Sequence, residues 1–215
     1  MLKCIDNNEV FVIGKVYDNL TLSHTLYGED FYGFTVQIPR LSQNNDFIKV
    51  IVSGRLLESN EIKKGDTVEI TGQFRSYNNY VNPGNKLVLT VFAQNIFKTD
   101  ATINTNPNQV YLNGYICKQP TYRTTPFGRE IADLLIAVNR TYNKSDYIPA
   151  IVWGRNARFC KNLKVGQNIK IFGRLQSREY KKKINETDSQ TRTAYEVSIS
   201  KIELAGDAVQ SQDET

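Results

Sequence analysis

The chain has 215 residues, 40% of them hydrophobic and 23% charged, with a formal net charge of +5 and a pI of about 9.0. That length admits one large domain or two small ones with ordinary globular cores, and the mild basicity admits a polyanion partner without requiring one. Cys4, Cys117 and Cys160 show no CxxC or metal-like spacing, which argues against a disulfide scaffold and fits a reducing cytosol. The opening MLKCIDNNEVFVIG lacks a long apolar run, and no stretch approaches the ~18 apolar residues of a membrane helix. The expectation is a soluble, cytoplasmic protein with no membrane contact.

Residues 7–16, NNEVFVIGKV, read as a strand, and residues 107–116, PNQVYLNGYI, read as the same strand 100 positions later. Val10, Val12, Gly14 and Val16 match Val110, Leu112, Gly114 and Ile116. The offset persists: Phe31 to Arg40 lies against Ile131 to Arg140, and Asp46 to Arg55 against Asp146 to Arg155. After a one-residue insertion, Lys63 to Phe74 lies against Lys164 to Leu175. After a longer one, Leu89, Val91, Ala93 and Ile96 match Tyr195, Val197, Ile199 and Ile202. The chain is therefore an internal duplication, and its period is a small domain rather than a solenoid repeat.

Each copy carries about five alternating strands and a short helical segment between the third and fourth. The fold expected is all-β: two tandem OB-folds, five-stranded Greek-key barrels whose closure removes sheet edges. The boundaries are 1–98 for a divergent N-terminal barrel, 99–107 for a polar linker and 108–204 for the C-terminal barrel, with 205–215 a disordered tail. Positive charge is uneven. Residues 1–100 carry 10 Lys/Arg and 11 Asp/Glu, and residues 101–215 carry 17 and 11.

The second copy holds the informative stretch, Ile148 to Tyr180. Ile148, Ala150 and Val152 alternate with Pro149, Ile151 and Trp153, which places the single tryptophan on the face opposite the core. Tyr147 shares its parity. A helix of about two turns follows over Asn156 to Asn162. Lys164 to Gln167 turns, and Asn168 to Ser177 makes the next strand. Tyr180 stands between Arg178 and the run Lys181-Lys182-Lys183. Aromatics interleaved with cations on a sheet suit stacked bases with a phosphate chain alongside. His24, the only histidine, falls in a hairpin loop and reads as a surface residue. No GxSxG, P-loop, HExxH or acidic cluster occurs, so no catalytic role, cofactor or metal is expected.

Residues 108–204 closely resemble the bacterial single-stranded DNA-binding (SSB) family. The signatures occur in the family's order: the opening strand NQVYLNG, the P-x-x-R-x-T-x-x-G hairpin from Pro120 to Gly128, the AVNR and VWGR strand ends, and GRLQSREY. The first copy resembles the family only in its skeleton. The resemblance implies base stacking on Tyr142, Tyr147, Trp153 and Tyr180, and basic contacts from Arg123, Arg155 and Arg178. Arg140 and Lys181, Lys182 and Lys183 add phosphate neutralisation, whose counterion release makes affinity salt-dependent. The first copy keeps Phe47, Arg40, Arg55, Tyr77 and Tyr80 as a weaker set, with Ser53 where the second has Trp153 and Ser42 where it has Tyr142.

The function expected is sequence-independent binding and protection of single-stranded DNA in replication, recombination or repair, in a nucleoid-associated protein. A homodimer supplying four OB-folds is the expected assembly, with replication or recombination proteins as candidate partners. The chain ends in QSQDET, without the acidic-hydrophobic tip usual in the family, which puts recruitment through such a tip in doubt. Two alternatives stand beside this reading: a protein–protein accessory of a primosome or DNA-transfer complex, favoured by the divergent first copy, and an RNA-binding OB protein, since stacking alone does not separate RNA from DNA.

Overall fold

The structure is a computed structural model that describes residues 7–78, 87–100, 106–183 and 189–205, with side chains 181–183 outside the described set. The first copy runs β1 (Asn8–Val16), β2 (Thr21–Leu26), β3 (Glu29–Pro39), β4 (Asn45–Ser53), α1 (Gly54–Glu58), β5 (Thr67–Asn78) and β6 (Leu87–Lys98). The second repeats it as β7 (Asn108–Ile116), β8 (Thr121–Thr124), β9 (Glu130–Asn139), β10 (Ser145–Trp153), α2 (Arg155–Cys160), β11 (Asn168–Lys183) and β12 (Ser189–Leu204). Among the five long strands of each copy, the helix falls between the third and fourth, as the strand spacing implies. The short β2 and β8 form the outer arms of hairpins with β3 and β9. His24 therefore sits on a strand, its ring stacked on Phe31 at 4.9 Å.

Alternation drives the burial. In β1, Val10, Val12 and Val16 point inward at 3% exposure or less, and in β10 Ile148, Ala150 and Val152 do the same. Each copy closes on itself. β1 bonds to both β5 and β3, and β7 to both β11 and β9, while β4–β6 and β10–β12 are the parallel pairs of the Greek key. Closure requires the repeated glycine. A Cβ on Gly14 would meet the Gln37 carbonyl oxygen at 2.5 Å, and one on Gly114 would meet that of Ala137 at 2.6 Å. Both are well inside van der Waals contact, so only glycine lets one strand bridge two neighbours there.

The two barrels are joined edge to edge. β1 and β7 pair antiparallel with Val10 opposite Val110, Asn8 opposite Leu112 and Val12 opposite Asn108. Each match at an offset of 100 is thus reflected through the Val10–Val110 pair, and the chain contains its own pseudo-twofold axis. The twelve strands among the described residues form one sheet, so the edge that β1 or β7 would expose alone is covered. Buried Asn8 and Asn108 secure the seam. Asn8 donates to the Phe74 carbonyl and accepts from the Phe74 N–H, both at 2.8 Å. Asn108 treats Leu175 in the same way at 2.8 and 2.7 Å. Each amide takes the place of a strand's peptide group, so its burial leaves no polar atom unmet.

Burial pushes the Cys160 thiol up to about 12, which makes it an inert core residue. No group of three or more metal-ligating side chains gathers among the described residues, and no described helix is long and apolar enough to cross a membrane.

Candidate nucleic-acid interface

The second barrel presents its aromatics outward. On β10 the side chains alternate, and Tyr147 and Trp153 are 49% and 42% exposed on the face away from the core. Six residues of strand separate them by about 20 Å. Tyr142 lies in the β9–β10 turn with φ of 61° and is 89% exposed. Its left-handed backbone follows from the tight return, in which the Arg140 N–H donates to the Lys144 carbonyl at 2.7 Å. Tyr180 is exposed near the far end of β11, opposite Arg192 of β12. Lys181 to Lys183 continue that strand as an arm paired with Ser189 to Thr191, so the basic run is part of a hairpin rather than a loop.

The cations divide into free and engaged. Arg155 is exposed at the start of α2, with no ion-pair partner among the described residues. Arg178 is more than half exposed, with Nε 3.8 Å from Glu196. Arg123 pairs with Asp133 at 3.0 Å on the surface, an interaction weak enough for a phosphate to displace. Arg40 and Arg140 are engaged with buried carboxylates. Arg40 holds Asp46 through two guanidinium nitrogens, and Arg140 lies 3.4 Å from Asp146. Asp46 and Asp146 are 1% and 0% exposed.

These carboxylates tie the barrels together crosswise. Asp46 of the first barrel accepts from the Ser177 N–H of the second at 2.8 Å and faces Arg174 at 3.0 Å. Asp146 of the second accepts from the Ser76 N–H of the first at 2.7 Å. The Phe47 N–H donates to Ser177 Oγ at 2.8 Å, and the Tyr147 N–H to Ser76 Oγ at 2.7 Å. The strand carrying one barrel's aromatic therefore starts against the root of the other barrel's arm. Half-exposed Tyr77 directly follows Ser76, next to the Tyr147 strand.

The first-barrel set is only partly assembled. Phe47 is half-buried, edge-on to Tyr17 at 4.9 Å, and lines a groove of about 660 Å³ with Arg40, Ser177, Thr193 and Tyr195. Arg55 is exposed beside Glu29 at 3.7 Å. Tyr80 lies outside the described residues. Ser53, in the place of Trp153, accepts from the Arg55 N–H as the N-cap of α1 and donates to Glu29. The first copy therefore has a helix cap where the second has an exposed tryptophan.

Two aromatics escaped the sequence reading. Tyr27 at the β2–β3 turn and Phe127 at the β8–β9 turn are 99% and 91% exposed, each just before a glycine with φ above 70°. The available signal was an aromatic-Gly pair at a hairpin tip, repeated at the same offset of 100.

Residues 107–205 match the model of the Single-strand binding protein family. The chain is 41% identical over 80 residues to Single-stranded DNA-binding protein 1 of Staphylococcus aureus, covering 34% of this chain and 48% of that protein. It is 39% identical over 80 residues to Single-stranded DNA-binding protein A of Bacillus subtilis, covering 34% and 46%. The chain spans about half the length of the curated relatives it matches. Over nearly its whole length it superposes on a deletion mutant of the single-stranded DNA binding protein from Thermus aquaticus. The TM-score is 0.76 at 20% identity, with 96% of this chain and 98% of that one covered, a likeness of fold.

Proposed function

We propose that this chain, whose residues 107–205 match the Single-strand binding protein family, binds single-stranded DNA without sequence preference and holds it unpaired during replication, recombination or repair. The observation that carries the reading is the outward pair Tyr147 and Trp153 on β10, flanked by exposed Tyr142 and Tyr180. Every base has a π-face, so stacking is sequence-tolerant and contributes about 1–3 kcal/mol per base. Arg155, Arg178 and the Lys181–Lys183 arm supply the phosphate contacts, and Arg123 joins them when a phosphate displaces Asp133. Phe47, Tyr77, Tyr80 and Arg55 of the first barrel extend the path more weakly. Arg40 and Arg140 act mainly by holding the barrels together. Such a protein works where DNA is unpaired, in the cytoplasm at the nucleoid.

The chain has one tryptophan, so its fluorescence reports the second barrel alone. Titration with oligo-dT is expected to quench Trp153 deeply at low salt and less at high salt, because bound phosphates release counterions. Absence of quenching with the protein folded would remove Trp153 from the path and return the protein–protein reading. Stronger quenching by oligo-U than by oligo-dT would favour the RNA reading.

The assembly we propose is a homodimer, with four barrels. The outer face of the sheet supports it. Register places Tyr111 beside Phe172, their rings 5.0 Å apart, and exposed Phe97 beside Glu69 on the same sheet. Light scattering is expected to give twice the 24.5 kDa of one chain. A value of one chain across the micromolar range would refute the dimer.

A further inference from the structure

The pseudo-twofold axis makes two carboxylate clusters comparable, and they are not equivalent. Around Asp46 the contacts are close, and a second carboxylate joins them. Arg40 and Arg174 both contact it, Arg174 also donates to Gln176 at 2.7 Å, and Gln176 donates to the second buried carboxylate, Glu196, at 3.0 Å. Around Asp146, Arg140 and Arg75 approach only to 3.4 and 3.9 Å, and among the described residues no second carboxylate pairs with either. Arg75 stands in register with Thr90 on β6, where its counterpart Gln176 faces Glu196 on β12. Two guanidiniums thus share one carboxylate.

Two polar atoms in this cluster are buried without a hydrogen-bond partner, Arg75 Nε and Asp146 Oδ2. Burial raises the Asp146 carboxyl and weakens the hold of Arg75 on its proton, so neither is fully compensated by the other. A buried guanidinium nitrogen left unpaired is costly. A cavity of about 200 Å³ opens here at the junction of the barrels, lined by Arg75, Gln73 and Gln94 from the first and Arg140 and Thr141 from the second. Thr141 is followed by exposed Tyr142.

We propose that this cavity binds a phosphate group, gripped by Arg75 of the first barrel and Arg140 of the second, where a nucleic-acid strand stacked on Tyr142 crosses between barrels. One terminal nitrogen of Arg75 already donates to Gln73; a phosphate presents acceptor oxygens for the rest of the fork, and its charge offsets a guanidinium that shares Asp146 with another. The nucleic-acid source of the phosphate rests on the single-strand binding reading; the anion site itself does not. A carboxylate at position 90, mimicking Glu196, would close the site from within.

The test uses the full chain labelled with 15N-arginine, following the Arg75 Nε–H resonance, which is assigned by its loss in Arg75→Lys. Oligo-dT of about 30 nucleotides, long enough for two barrels at ~4–16 nucleotides each, is expected to shift that resonance in step with Trp153 quenching. Inorganic phosphate at millimolar concentration is expected to shift it in the same direction without quenching. Thr90→Glu, which keeps both arginines, is expected to abolish both shifts, lower oligo-dT affinity about fivefold and reduce the salt slope by about 1. Quenching of Trp153 with Arg75 unmoved by either titrant would overturn the site and leave the binding reading intact. An Arg75 response to phosphate without any Trp153 quenching would support the site and sink the nucleic-acid reading. Silence of both probes would reject both.

Discussion

Replacing Asp46 by alanine is expected to lower the unfolding free energy by about 3 kcal/mol, the low end of the cost of breaking a buried ion pair. The low end applies because Arg40 and Arg174 keep 22% and 36% of their side-chain exposure and recover some hydration. The loss has three parts. Two guanidiniums lose their only shared carboxylate, and the Ser177 N–H loses its acceptor. Urea unfolding followed by circular dichroism measures it. Asp146→Ala is expected to cost less, since Arg75 and Arg140 already stand at 3.9 and 3.4 Å and their carboxylate is poorly compensated. Equal losses at the two positions would show that the asymmetry between the clusters has no energetic weight.

Trp153→Ala is expected to leave stability nearly unchanged and weaken oligo-dT binding by about 10–100-fold. The size follows from the ~1–3 kcal/mol per stacked base and a factor of ten for each 1.4 kcal/mol. Stability is spared because the ring lies at the end of β10, 42% exposed, with the core faced by Ile148, Ala150 and Val152 instead. Fluorescence anisotropy of a labelled oligonucleotide reads the affinity independently of the lost tryptophan. The salt dependence is expected to stay as in the parent, since stacking releases no counterions. A reduced salt slope with unchanged affinity in low salt would assign Trp153 to positioning Arg155 rather than to a base.

Much of this was legible from local pattern. Alternation in β10 assigns Trp153 and Tyr147 to the outer face because strand side chains alternate whatever the strand packs against. The 100-residue offset reveals the duplication because both copies need valines on one face and a glycine at Gly14 and Gly114, where the strand bridges two neighbours. The second copy's hairpin arm was anticipated as a basic run, though its length was not. Strand pairing continues through Lys183, beyond where apolar alternation stops at Leu175, because backbone hydrogen bonds to β12 need no apolar face.

What the chain's order of residues determined by itself is the set of elements, their inward faces and the outward placing of Tyr147 and Trp153, all of them consequences of spacing within about twenty residues. What only the tertiary structure decided is how the copies meet. Asp46 finds Arg174 across 128 positions, and Asp146 finds Ser76 across 70, through a pseudo-twofold pairing of β1 with β7. That encounter sets Arg40 and Arg140 against buried carboxylates, and leaves Arg75 with a buried nitrogen that has no hydrogen-bond acceptor. A side chain's charge is written in the sequence, but whether that charge is spent depends on a partner that loop closure over a hundred residues brings within 4 Å.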